Sequence, residues 1–157
     1  MSATICDPLG LAVTAAGELY LTDWTDGLVR KIDANGVITT VLGGGTKDVT
    51  SGARATDVAI SEPHTVALGP DASFYVTLEG DYEVVKVTSD GLVQVVAGGK
   101  YSSTVTGDNG PPLSASFQLP RVVYVHADGT TWIADYNGAR VRRVKPALPE
   151  FPAVKFR

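Results

Sequence analysis

The side chains able to do chemistry are few, and their positions repeat. His64 follows Pro63 and Arg121 follows Pro120, just as Leu9 follows Pro8. Asp23 and Asp135 each close an alternating run, and between them Glu79 stands one residue beyond Leu78. Imidazole is a good zinc ligand and titrates near neutrality. A guanidinium can grip a carboxylate or phosphate through two parallel hydrogen bonds, or it can pair within its own chain, here with Asp135 or Glu79. A carboxylate that recurs at one point of a pattern suits a structural task, capping a turn by accepting backbone N–H bonds. Trp24, Asp26, Asp81, Tyr82, Tyr136 and Asn137 stand in the short turns after those runs.

Other candidates carry less. A zinc site needs about three protein ligands, so His64 would need Glu79 or another carboxylate beside it. His126 ends the same kind of strand as His64 begins and is expected at the opposite end. Gly107–Pro112, reading GDNGPP, lacks the carboxylate spacing of a calcium cage and the Gly-Lys-Ser/Thr of a phosphate loop, and is read as a turn. No cofactor is expected, zinc and calcium being the alternatives weighed. There is no Gly-x-Ser-x-Gly elbow, so nucleophilic hydrolysis has no motif behind it. Cys6 is the one cysteine; no intrachain disulfide can form, and the expectation is a small buried hydrophobe.

The elements that must position these groups recur with a fixed register. The prolines at 8, 63 and 120 are offset by 63 − 8 = 55 and 120 − 63 = 57 residues. The same offsets separate Ile5, Ile60 and Phe117; Tyr20, Tyr75 and Trp132; and Val29, Val84 and Val141. Within each copy, period-two alternation predicts four strands. In the first copy these are 9–14, 18–23, 28–33 and 37–43, the last two joined by Asn35-Gly36, a hairpin signal because both residues tolerate positive φ. The second copy repeats the order with Asp90-Gly91 in the turn. In the third, Pro146, Pro149 and Pro152 interrupt, leaving Ala153–Arg157 as the fourth strand. Two long connections, 44–61 and 98–116, stand at the same place in the repeat; such loops are either functional or cover the sheet ends.

Composition agrees with an all-β chain: 157 residues, 17 glycines and 9 prolines favour short strands and tight turns in one domain. The net charge of −4 argues against general binding to nucleic acid or an anionic membrane. The basic run Arg140, Arg142, Arg143, Lys145 alternates faces and is read as a solvated strand face. No apolar run is long enough to span a membrane and no leader pattern is present in the chain as given, and compartment stays undetermined.

The linked motifs LTDWTDGLVRKID (21–33), VVAGG (95–99), TGDNGPPLSASFQLP (106–120) and IADYNGARVRRV (133–144) resemble the NHL repeat of β-propeller proteins over nearly the whole chain. The resemblance implies three four-stranded antiparallel blades, about 5–59, 60–116 and 117–157. Leu78 in place of an aspartate is the main departure. Family rings are commonly six-bladed, which implies a two-fold homodimer of this chain closing a ring. In such a ring the first strand of each blade lines a channel, so the mouth collects Trp24, Asp23, His64, Glu79, Tyr82, Arg121, Asp135 and Tyr136 as expected binding residues. The implied role is a scaffold for a protein, peptide or small ligand. The alternative is a small lyase or hydrolase at the channel mouth, with His64 as base or metal ligand and Glu79 or Arg121 assisting. PHTVAL (63–68) is similar to the segment supplying a zinc-binding histidine in the peptidyl-hydroxyglycine amidating lyase, a related propeller.

Overall fold

A computed structural model describes residues 4–146. The order is β1 (Pro8–Val13), β2 (Leu19–Asp23), β3 (Leu28–Ile32), β4 (Ile38–Gly43), β5 (Pro63–Leu68), β6 (Phe74–Leu78), β7 (Glu83–Val87), β8 (Val93–Gly98), a 3₁₀ turn (Pro112–Ser114), β9 (Pro120–Val125), β10 (Thr131–Asp135) and β11 (Arg140–Val144). Consecutive strands pair antiparallel into a four-stranded sheet β1 to β4, a second β5 to β8, and a three-stranded sheet β9 to β11. Predicted strand limits hold to within one residue. The expected strand at Ala153–Arg157 lies outside the described residues.

The three sheets pack face to face, the outer two through one side of the pleat and the second through both. Val29 and Leu42 of the first sheet meet Val66, Phe74, Val76, Leu78 and Val85 of the second. Tyr75, Val84 and Ala97 on the other side of the second sheet meet Val123 and Ile133 of the third, with Phe117 between them. The first strands β1, β5 and β9 lie side by side. At the first junction the approach is close: a methyl on Gly10 would sit 2.6 Å from the His64 carbonyl oxygen and 2.8 Å from Thr65 Cα.

A hydroxyl bridges each junction at the same register. Thr22 Oγ1 accepts from Gly10 N at 2.7 Å and donates to the His64 carbonyl at 3.0 Å. Thr77 Oγ1 accepts from Thr65 N at 2.9 Å and donates to the Arg121 carbonyl at 3.0 Å. The corresponding residue of the third sheet is Ala134, which has no hydroxyl.

The hairpin expectation needs a correction in turn type. At Asp33–Val37 only Gly36 has positive φ, at 80°, with Gly36 N donating to the Asp33 carbonyl and Asp33 N to the Val37 carbonyl. This is a three-residue loop, a type I turn closed by a left-handed glycine, rather than a two-residue loop. Loops 14–18, 88–92 and 126–130 copy it with Gly17, Gly91 and Gly129. Loop 69–73 puts Ala72 there, at φ 57°.

The long connections also differ from open loops. The first inserts Ala55, Val58 and Ile60 into the core and bridges Lys47 to Val58. The second is held by Arg142, which donates to the Ser116 and Thr106 carbonyls at 2.9 and 3.0 Å and pairs with Asp108 at 2.8 Å. Arg142 is therefore committed to the fold rather than solvated, while Arg143 on the opposite face lies over the Trp132 ring. The loop 107–110 is a turn, Gly110 N donating to the Gly107 carbonyl at 3.2 Å.

Candidate functional site

Residues at the start of the first strands meet residues just beyond the second strands at one end of the sheets. Asp7, Leu9, Trp24, His64, Glu79 and Arg121 line a shallow pocket of about 270 Å³ there. Leu9, His64 and Arg121 occupy the same position in three successive copies; Trp24, Glu79 and Tyr136 likewise share one. In each copy a backbone bond ties the second of these positions to the residue two before the first: Trp24 N to the Asp7 carbonyl, Glu79 N to Glu62 and Tyr136 N to Leu119, at 2.9, 3.0 and 2.8 Å. The pocket is thus a product of the register.

Its centre is an ion pair between sheets. Arg121 Nε donates to Glu79 Oε2 at 2.8 Å, and a terminal guanidinium nitrogen donates to Oε1 at 3.2 Å. The Arg121 guanidinium also stacks 4.5 Å above the Tyr136 ring. The Glu79 carboxylate, burying most of its surface, raises the Arg121 pKa further above its ordinary value. Of the two pairings open to Arg121, the structure therefore makes the one with Glu79. His64 is half-buried beside the pair, its Nδ1 3.5 Å from Thr65 Oγ1. Among the described residues no three His, Cys, Asp or Glu side chains are placed to hold a metal ion. His126 sits in the β9–β10 turn at the other end of the strand, 3.0 Å from Asp128.

The other expected binding residues are elsewhere. Asp23 is fully buried and accepts from the backbone N–H of Cys6 and Asp7 at 3.1 and 3.0 Å. Asp135, equally buried, accepts from Gln118 N and from Leu119 N, the latter at 2.7 Å. Both anchor the chain that leads into the first strand of their own sheet. Tyr82 packs tilted against Tyr101, ring centres 5.0 Å apart. Cys6 corrects an expectation: it is exposed rather than buried, because its segment lies outside the core. A hydrogen bond to Asp26 raises its thiol pKa, which keeps it a poor nucleophile.

One group escaped the sequence reading. Glu83, the first residue of β7, is 6% exposed, and its Oε1 has no hydrogen-bond partner. Burial and, after it, the neighbouring Asp81 push its pKa up to about 7. The available signal was a carboxylate at the repeat position that holds Leu28 and Arg140 in the flanking copies.

Sheets stacked through their faces, with first strands adjacent and a pocket at their common end, define a module of β-propeller type. Solved structures agree: a structural-genomics protein of unknown function from Bacteroides thetaiotaomicron superposes with a TM-score of 0.73 at 24% identity, over 91% of this chain and 36% of that one. A virginiamycin B lyase from Staphylococcus aureus superposes at 0.56 with 14% identity, over 90% and 42%. At such identities the likeness concerns the fold. Residues 1–146 match the family model of the teneurin NHL domain, and the chain belongs to that family. Mouse teneurin-3 is 27% identical over 158 residues, 92% of this chain, and human teneurin-1 is 30% identical over 155 residues, 91% of it. The chain spans about 6% of the length of each of these relatives.

Proposed function

We propose that the chain is a protein-interaction scaffold whose two outer sheet faces are closed by further propeller sheets, supplied for the isolated chain by a second copy in a six-bladed ring. The observation that carries this is apolar surface without cover. On β1, Leu11 and Val13 are 65% and 57% exposed, alternating with Gly10 and Ala12, which face the second sheet. On the third sheet Val122, Tyr124, Trp132 and Val141 are exposed opposite the buried Val123 and Ile133. Apolar strips at both ends of a stack favour association, and a two-fold arrangement covers both at once. A partner protein, peptide or small ligand would then bind at the mouth around Trp24, His64, Arg121 and Tyr136.

Light scattering across a dilution series tests the ring: the reading expects twice 16.4 kDa. A monomer would remove the second copy and leave the faces to neighbouring segments of a longer chain. Binding at the mouth is tested by Trp24→Ala and Tyr136→Ala, which should weaken partner capture without unfolding the chain.

The pocket supports a second reading, a lyase or hydrolase with His64 as base or metal ligand and Glu79 or Arg121 assisting. The virginiamycin B lyase among the structural neighbours adds precedent for a lyase on this type of fold. His64→Ala together with metal analysis decides it; no metal and no change in turnover of any candidate substrate would end it.

A further inference from the structure

A different set of residues surrounds Glu83. Asp48, Val49, Ala59, Ile60, Ser61, Asp81, Glu83 and Gly99 line an open pocket of about 370 Å³ where the first connection meets the second sheet. Three of its lining side chains are carboxylates, and Asp81 uses one oxygen to accept from Ser61 N at 2.8 Å. Among the described residues no lysine, arginine or histidine pairs with Asp48, Asp81 or Glu83. Lys47, next to Asp48, is taken by Asp57 at 2.8 Å. Glu83, more than nine-tenths buried, lies among these residues with its Oε1 enclosed and without a hydrogen-bond partner and its Oε2 beside Gly99 of the pocket. A buried acceptor left unmade costs desolvation with nothing returned, so it marks a place where a donor is missing.

The geometry points to a binding site for one lysine or arginine side chain presented by a partner protein, its cationic head between Asp48, Asp81 and Glu83 and its alkyl stem along Val49, Ala59 and Ile60. The carboxylates do not converge as a metal site does, which disfavours a bare divalent ion. A charged head on a methylene stem matches a pocket that is acidic at one side and apolar at the other. Such a head would meet Glu83 through Oε2, the oxygen beside Gly99. The site is built from the first connection and the second sheet, with Gly99 just beyond that sheet, and shares no residue with the His64 pocket or the exposed outer faces, so it stands or falls independently of both. The titratable group acting on Glu83 is Asp81; Asp48 lines the same pocket, and Lys100, beside Gly99, is exposed. Because an isolated Glu83 holds its proton up to about pH 7, a cation must bind the ionised form, and affinity should rise with pH through that range.

The test is an NMR titration of the ¹⁵N-labelled chain with Nα-acetyl-lysine methylamide, its norleucine counterpart and calcium chloride. Expected are saturable shifts of the Ser61, Glu83 and Gly99 amides with the lysine probe, at about millimolar affinity, and none with norleucine. Binding should tighten several-fold between pH 6 and pH 8. Glu83→Gln should lower affinity at least about fivefold and flatten that pH dependence. Asp48→Asn, an exposed change outside the sheet, should weaken binding to a smaller degree and serves if Glu83→Gln disturbs the fold. Equal shifts with norleucine, shifts of these amides with calcium alone, or lysine binding unaltered by both substitutions would overturn the proposal.

Discussion

In the first and third sheets the carboxylate that anchors the incoming chain is the last residue of the second strand, Asp23 or Asp135; in the second sheet that position is Leu78, and Asp81, three residues later, accepts the equivalent bond from Ser61 N. The displacement has two effects. Leu78 becomes core, fully buried among Val66, Val76 and Val85. Glu79, one residue on, is free to cross to the third sheet and pair with Arg121. Its counterparts, Trp24 and Tyr136, cannot form such a pair. One backbone scaffold thus tolerates the anchor in two places, and the middle sheet uses the freedom to make a charged link between sheets.

The sharpest way to break this comparison is to remove the anchors. Asp135→Ala strips a buried carboxylate from two backbone donors and should cost about 3 kcal/mol, whereas Asp81→Ala, serving the single exposed Ser61 amide, should cost only about 1 kcal/mol. Denaturant melts measure both; equal losses would mean that the two anchors are not alternatives. Next comes the hydroxyl bridge. Thr77→Val should lose roughly 2 kcal/mol through two unmade bonds at a junction, while Ala134→Thr at the matching outer position should fall within about 0.5 kcal/mol of the parent.

A third contrast is electrical. Glu83 takes up its proton more readily folded, near pH 7, than unfolded, near the ordinary 4.5, so stability falls as pH rises between those values and stays reduced above them. Glu83→Gln should therefore be near neutral at pH 4 and stabilising by about 2 kcal/mol at pH 8; a pH-independent difference would refute the assignment. The last effect is local. Ala72→Gly should add about 1 kcal/mol, because Ala72 holds the left-handed position that glycine fills in the four sister loops.

Much of this was legible in the residue pattern because repeats report register directly. Offsets of 55 and 57 residues placed every described strand, and they put His64, Glu79, Arg121 and Trp24 at one end, where they line one pocket. What escaped depends on contacts between copies. Nothing in the local pattern says that Thr22 and Thr77 reach into the next sheet, since a threonine in a strand looks the same whether its hydroxyl meets water or a neighbouring carbonyl. Asp23 and Asp135 stand among the expected binding residues by position, but their recurrence points to the task of accepting backbone N–H bonds, and that is what both do, within their own sheets. Turn chemistry was seen, but the loop length at Asn35-Gly36 depends on Asp33 accepting from Asn35 N and Val37 N at 2.9 Å each.

The two intervals themselves carry a last consequence. From β1 through β4 to β5 through β8 every strand moves by the same 55 positions, so the extra two residues of the next interval fall entirely between β8 and β9. That connection is where the chain keeps slack. Its exposed stretch around Ser103 is accordingly the natural place to splice in an epitope or a fluorophore, leaving the ladder spacing on either side untouched.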